Sequence, residues 1–354
     1  DILEEAKATW SSHMCKRGHS SDSYRLESIV NIVKRYQRGE EEFPDNIDVV
    51  TGGFPCQDFS VSGKRKGFDS NKDHNGKLRK ENVPSEETRG KLYYWMKQVI
   101  DITKPKIFIA ENVKGLVNLG DVKTIIQQDF ASADDNGYIV LSPQILHAAD
   151  FGVPESRERV FFIGVRKDVL KPKALKALED EILPPEYNPY PTPTHAYSIE
   201  KEGLAKPVVC GDVFQGLLEP DLSSDLSQKY YSKAKYMGSH CQGQKEISLS
   251  KIGPTIRSEH HGNIEFRRLS SEHGGTIEQE LSIGLPERRL TPRECALIQT
   301  FPPDYLFVRY KPYSKSKFSV SSSRAYKVIG NAVPPVLAYN IAMRIQSLWN
   351  LYFK

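Results

Sequence analysis

Val49-Val50-Thr51-Gly52-Gly53-Phe54-Pro55-Cys56-Gln57-Asp58-Phe59-Ser60 decides how this chain is read. A short apolar strand, Ile47 to Val50, runs into a glycine pair and then a Pro-Cys-Gln turn. Open α/β sheets hold ligands in the crevice beyond the carboxyl ends of their strands. Gly52 and Gly53 permit the tight path such a turn needs. Pro55 fixes the turn and leaves Cys56 on its tip. Taken alone, Cys56 has two readings: a core thiol, since free cysteine is often buried, and a nucleophile.

Outward from this stretch, strands and helices alternate. Leu92, Trp95, Met96, Val99 and Ile100 fall on one helical face. Pro105 ends that helix, and the strand Ile107–Ala110 delivers Glu111-Asn112-Val113 at its end. Residues 121–130 read as a helix and 138–141 as a strand. A turn over 150–156 then leads to Arg157-Glu158-Arg159 and the strand Val160–Val165. The pattern predicts an α/β fold with a doubly wound, mostly parallel sheet. Neighbouring parallel strands would bring Cys56, Glu111 and the arginines together at their carboxyl ends. A thiolate there can attack an electrophilic ring carbon. A carboxylic acid can protonate or hydrogen-bond a ring nitrogen, and an arginine can hold a carbonyl oxygen. The plainer readings are a strand-end carboxylate that caps a turn and a solvated arginine pair.

Composition then shifts. Five prolines between 184 and 193 suggest a linker over 169–200, followed by a smaller, mostly irregular or β domain. Thr291, Pro292 and Glu294 form a capping-box start for a helix over 289–301. A last helix is expected from Val336 to Trp349 after Gly330-Asn331-Ala332-Val333-Pro334-Pro335.

The 354 residues are 38% hydrophobic and 27% charged, with a net charge of +4, the balance of a soluble globular protein that permits a polyanionic partner without requiring one. No apolar run approaches the roughly 20 residues of a membrane span. The five cysteines, Cys15, Cys56, Cys210, Cys241 and Cys295, are scattered without a C-x-x-C pair, so neither zinc nor a disulfide framework is expected. A reducing cytoplasm fits.

Six segments in order then resemble one family, the cytosine-C5 DNA methyltransferases. Gly53-Phe54-Pro55-Cys56-Gln57-Asp58-Phe59-Ser60 resembles its nucleophile motif, Arg89-Gly90-Lys91-Leu92 its Arg-Gly-x-Leu helix start, and Glu111-Asn112-Val113-Lys114 its Glu-Asn-Val motif. Phe151 to Arg159 resembles its Gln-x-Arg-x-Arg motif. Arg289 to Pro302 resembles the motif supporting the recognition domain, and Gly330 to Val333 the last motif. The resemblance implies a methyltransferase-type sheet over residues 1–183, a target recognition domain over 184–318, and a return to the catalytic domain over 319–354. It implies a cytosine flipped out of duplex DNA, attack on C6 by Cys56, and transfer of a methyl from S-adenosylmethionine to C5. Glu111 would protonate or hydrogen-bond N3. Arg159 would hold O2, and Arg157 would support the loop.

The cofactor contacts implied are Asp1 for the ribose, Ile2 and Ser28 for the adenine, and Phe54, Pro55, Leu92, Asn331 and Ala332 around them. DNA contacts fall on Gln57, Ser60, Thr255 and Arg257, with Ser60 and the Lys64–Lys66 run at the phosphates and Arg267 and Arg268 as further base or phosphate readers. No metal is implied. The partners are double-stranded DNA and a cognate restriction endonuclease, in the bacterial cytoplasm, with a monomeric enzyme. Two alternatives compete: a tRNA cytosine-5 methyltransferase of the same family, and an inactive DNA-binding fragment. Two departures stand out. Glu155 replaces the family's glutamine and would add negative charge near DNA. The Phe-x-Gly-x-Gly turn that wraps the cofactor's methionine end is absent, so a strand and glycine turn are expected ahead of Asp1 in the full protein.

Overall fold

The computed structural model describes residues 1–40, 43–54, 92–118, 121–258, 263–314 and 316–354. Its central sheet contains β1 (Val49–Gly53), β2 (Ile107–Val113), β3 (Tyr138–Val140), β4 (Gln144–His147) and β5 (Glu158–Arg166). The order is β1-β2-β5-β3, with β4 also on β5. β1 and β2 pair in parallel, Gly53 opposite Glu111. β5 runs antiparallel to β2, β3 and β4. Four strands therefore share one direction and β5 opposes them. The sequence reading missed β4, whose two apolar residues, Ile145 and Leu146, are flanked by Gln144 and His147.

The direction of β5 corrects how the site residues converge. Its amino-terminal end, not its carboxyl end, lies beside the ends of β1 and β2, so Arg159 sits opposite Val113. The strand reads as a continuous apolar run because both of its faces are covered. Phe161, Ile163 and Val165 face a core made with α5 (Pro172–Glu179) and α11 (Pro335–Tyr352). On α11, Leu337, Ile341, Ile345 and Leu348 recur at helical spacing on that core. Val160 and Phe162 alternate onto the other face, where they meet α2 (Ile29–Gln37), α3 (Tyr93–Thr103) and α4 (Val122–Ala131). Helix α3 buries Tyr93, Trp95, Met96 and Ile100 and stops at Lys104, which turns left-handed (φ 45°) just before Pro105.

The expected linker over 169–200 belongs to the sheet's core instead. Leu170, Ala174, Leu178 and Tyr190 are buried there, and the Tyr190 hydroxyl donates to the Phe161 carbonyl at 3.0 Å. The prolines flank a short turn over Pro185–Tyr187 and an anchored Tyr190 rather than forming a free tether.

A separate core gathers Cys210, Ile247, Ile256, Leu290, Cys295, Ile298, Phe307, Val320, Tyr326 and Ile329. Around it lie short helices α6 (Cys210–Val213), α7 (Leu226–Lys229) and α8 (Glu278–Ser282). Two small ladders, β6 (Phe266–Arg268) with β7 (Arg288–Arg289) and β8 (Arg309–Tyr310) with β9 (Phe318–Val320), join α9 (Pro292–Ile298) and α10 (Ser322–Asn331) there. The capping box forms as the spacing predicts. Thr291 Oγ1 accepts from Glu294 N at 3.0 Å, and the Glu294 carboxylate accepts from Thr291 N at 2.8 Å. α10 packs here beside α9, and so does α1 (Glu4–Met14), through Ala8 and a Glu5–Arg324 pair at 3.3 Å. Among the described helices none is long and apolar enough to cross a membrane.

Candidate active site

The site forms where β1 and β2 end and β5 begins. Glu111 stands on β2 beside Gly53, and a Cβ on Gly53 would lie 3.1 Å from Glu111 Oε2. Glycine there leaves room for the carboxyl group. Arg159 Nε lies 2.9 Å from Glu111 Oε1, and both side chains are mostly buried. Burial pushes the Glu111 carboxyl up from its ordinary value, against the pull of the Arg159 and Arg157 charges. A carboxyl group in that state holds a proton longer than a surface glutamate and can donate it.

Asn112 fixes the exit of β1. It is 1% exposed, donates from Nδ2 to the Phe54 carbonyl at 3.2 Å, and its Oδ1 accepts from Val113 N at 2.8 Å. The chain leading to Cys56 is thus anchored to the strand carrying Glu111. Sequence reasoning gave Asn112 no role; a polar side chain next to a strand-end acid was the available signal. Pro55, Cys56, Gln57, Ser60 and the Lys64–Lys66 run lie outside the described residues, as do Arg89, Gly90 and Lys91. Of the four described cysteines, Cys210 and Cys295 are buried, and burial pushes the Cys210 thiol up to about 12, far from a nucleophile's range.

Arg157 is 1% exposed and acts as a buried support. Its guanidinium donates to the carbonyls of Ile256 (3.0 Å), Gly330 (2.9 Å) and Ala332 (2.8 Å) and lies 3.5 Å from Glu155 Oε1. Glu155 is fully buried beneath it and accepts from Ile256 N at 2.7 Å. The expectation of a negative charge near DNA is therefore corrected. The side chain points inward, and burial raises its pKa against the pull of Arg157.

The segment carrying Thr255 and Arg257 is bound to the same loop. Ser156 N donates to the Gly253 carbonyl, and Gly253 N to the Pro154 carbonyl, each at 2.8 Å. The Thr255 hydroxyl donates to the Ser156 carbonyl. A Cβ on Gly330 would fall on the Arg257 backbone, so glycine allows α10 to meet this segment. Arg257 donates to Gln242 Oε1 at 2.9 Å.

Arg267 and Arg268 are corrected as DNA readers. They are 7% and 0% exposed, and both pair with Glu280. Arg268 also pairs with Glu219, which Arg288 shares. Two adjacent arginines looked like a basic surface because their acidic partners are distant in sequence.

The remaining candidates divide. Phe54 and Leu92 are 7% and 8% exposed and share a core with Val30 and Val33 of α2, the helix that Ser28 precedes. Asn331 and Ala332 end α10 beside Arg157. The Asp1 amine donates to Arg25 O at 3.3 Å, its carboxylate accepts from Leu3 N at 3.0 Å, and Ile2 is 45% exposed.

A doubly wound sheet with an acid–guanidinium pair at its strand ends, tied through buried Arg157 to the backbone of the second core, defines an α/β protein. The chain belongs to the C-5 cytosine-specific DNA methylase family, which matches residues 19–347. It is similar to the type II methyltransferase M.PspPI of Psychrobacter sp. (strain TA137), with 30% identity over 314 residues, covering 86% of this chain and 65% of that protein. M.BsuRI of Bacillus subtilis is 31% identical over 356 residues, covering 98% of this chain and 66% of that protein. M.NgoPII of Neisseria gonorrhoeae is 29% identical over 361 residues, covering 97% and 87%. The chain thus spans about two thirds of the first two. Among solved structures, the Entamoeba histolytica methyltransferase EhMeth matches with a TM-score of 0.55 at 14% identity, covering 99% of this chain and 89% of that one. The S. pombe Dnmt2 methyltransferase matches at 0.54 and 17%, covering 99% and 90%. These two likenesses show the fold.

Proposed function

We propose that this protein methylates C5 of cytosine in duplex DNA, as the modification partner of a cognate restriction endonuclease. The observation that carries the reading is the Glu111–Arg159 pair, 2.9 Å apart where β2 ends and β5 begins, with burial favouring a protonated Glu111. Cytosine presents N3 and O2 side by side. A carboxyl proton and a guanidinium N–H held together match that edge, with Glu111 on N3 and Arg159 on O2. The Cys56 thiolate bonds to C6, and the proton held by Glu111 at N3 lets the ring accept the added electron pair. C5 becomes nucleophilic. Loss of the C5 proton and of the thiolate restores the aromatic ring.

S-adenosylmethionine supplies the methyl group when bound. The residues present fit part of it. Exposed Asp1 offers a carboxylate for ribose hydroxyls, and half-exposed Ile2 an apolar face for adenine. Phe54 and Leu92, packed in the core, form a wall more than a contact surface. DNA rather than tRNA is favoured by the family matched and by the type II naming of the relatives. Thr255 and Arg257 would meet the DNA.

The test is covalent trapping on duplex DNA carrying 5-fluorocytosine, together with methyl transfer from labelled S-adenosylmethionine. An adduct that needs cofactor and disappears in Cys56→Ser supports the reading. Glu111→Gln should slow methylation by roughly 10²–10⁴-fold while duplex binding persists. Unchanged turnover in Glu111→Gln removes Glu111 from its role, and methylation of tRNA in place of duplex overturns the substrate.

A further inference from the structure

The last acidic residue of the chain is Asp304; residues 305–354 contain eight Lys and Arg and no Asp or Glu. Residues 229–245 likewise contain four lysines and no acid. With a net charge of only +4 for the whole protein, this is a concentration of charge, and the β8–β9 hairpin of the first segment, flanked by Lys311 and Lys317, lies against Tyr230 at the start of the second. Tyr230 packs edge-on against Tyr310 and Phe318 of the β8–β9 hairpin, with ring centroids 6.1 and 4.9 Å apart. The hairpin closes through Lys311 N to the Lys317 carbonyl at 2.7 Å. At its tip Tyr313 adopts φ 62° and is fully exposed.

The 229–237 segment is held to the second core by hydrogen bonds. Ser232 N donates to the Tyr326 hydroxyl at 3.2 Å, and the carbonyls of Ala234 and Lys235 each accept from Arg289 at 3.2 Å. Residues 232, 234 and 236 are half-buried, while Lys233, Lys235 and Met237 are exposed. This is the alternation of an extended chain, and it sets the two lysines about 6.7 Å apart along a line. Lys233 Nζ lies over the Tyr231 ring, 3.8 Å from its centroid. Among the described residues none of Lys229, Lys233, Lys235, Lys311 and Lys317 forms an ion pair. The ribbon continues to Gln242, which accepts from Arg257. It therefore runs from the hairpin to the segment expected to meet target bases.

We propose that this ridge, Lys229, Lys233 and Lys235 with Lys311 and Lys317 of the hairpin, grips the sugar–phosphate backbone of the duplex beside the target site. The contact is independent of base sequence. It rests on the reading of the protein as a DNA methyltransferase. A line of lysines suits a duplex, which carries a negative charge about every 1.7 Å of axis. Its continuity with Arg257 through Gln242 favours DNA over a membrane or another polyanion.

The test measures affinity for a mixed-sequence duplex of about 40 base pairs across a salt series, because each phosphate contact contributes about 0.9 to the slope of log K against log salt. The variant Lys233→Gln/Lys235→Gln/Lys311→Gln/Lys317→Gln should lower that slope by roughly 3–4. Lys311→Gln/Lys317→Gln alone should give about half the change, which covers the case of a poorly folding quadruple variant. A control, Lys173→Gln/Lys176→Gln/Lys201→Gln/Lys206→Gln, changes net charge equally on exposed positions elsewhere and should leave the slope in place. Equal slopes for ridge and control variants overturn the ridge and leave the enzyme reading standing. A parent protein with no duplex affinity overturns the enzyme reading itself. Loss of binding to anionic vesicles or single-stranded RNA, with the duplex slope intact, overturns the duplex as partner.

Discussion

Replacing Arg157 with alanine removes one guanidinium from three parts of the chain at once. It deprives the carbonyls of Ile256, Gly330 and Ala332 of their donor and leaves Glu155 buried without its cation. Hydrogen bonds to charged groups are worth about 1.5–3 kcal/mol each, so a simple sum would give roughly 5–9 kcal/mol for the three carbonyls. The real loss is smaller because removing Arg157 also ends its own desolvation and lets Glu155 take a proton. Breaking one side of a buried pair typically costs about 3–5 kcal/mol. Urea unfolding is the assay: with a slope near 3 kcal/mol per molar, the midpoint should fall by roughly 1–1.5 M. Arg157→Lys keeps the charge, but one ammonium lacks the planar fork that reaches three carbonyls, so it should recover less than half of the loss. A midpoint within about 0.3 M of the parent for Arg157→Ala, or a lysine variant equal to the parent, refutes the reasoning.

Glu155→Gln should change how stability depends on pH. Burial raises the Glu155 pKa in the folded protein, so its contribution is full below the ordinary carboxylate value and is lost as pH rises through the folded value. The glutamine side chain cannot ionise, so the variant should gain on the parent as pH rises, read as the difference between their melting temperatures at pH 5 and pH 8; a constant difference would count against it. Thr291→Ala loses the α9 cap and the bond to Gln228 and should cost about 1–2 kcal/mol in urea unfolding; Thr291→Ser should restore most of it. Gly330→Ala sets a Cβ against the Arg257 backbone. It should lower the melting temperature and weaken duplex binding together, and a variant that melts and binds like the parent would show that the segment moves freely.

The sheet was legible because its strands are short apolar runs with turn residues at their ends. Residues 107–110 and 160–165 are buried on both faces, which removes any need for alternation. The helix over 92–100 was legible from one apolar face, and α9 from its capping box. The direction of β5 was not legible, since strand composition carries no sense of direction, and β4 offers only Ile145 and Leu146 as apolar residues between Gln144 and His147. The prolines of 184–193 looked like a tether because composition cannot show that Tyr190 anchors them. In the site, residue types at the strand ends gave Glu111 and Arg159. The fates of Glu155, Arg267 and Arg268 were hidden because their partners lie up to 101 residues away. A charged residue in sequence reads as surface until a distant partner buries it.

The bonds that join the 153–157 loop to the 253–257 segment meet that segment mostly on main-chain atoms, Gly253 N and O and Ile256 N and O, with the Thr255 hydroxyl as a side-chain contribution. Main-chain atoms are the same whatever side chain they carry. On the proposed reading, target preference can drift by substitution at the neighbouring side chains while the loop leading to Arg159 keeps its seat. A graft of recognition residues from a relative should be spliced outside 253–257, with that backbone path left intact.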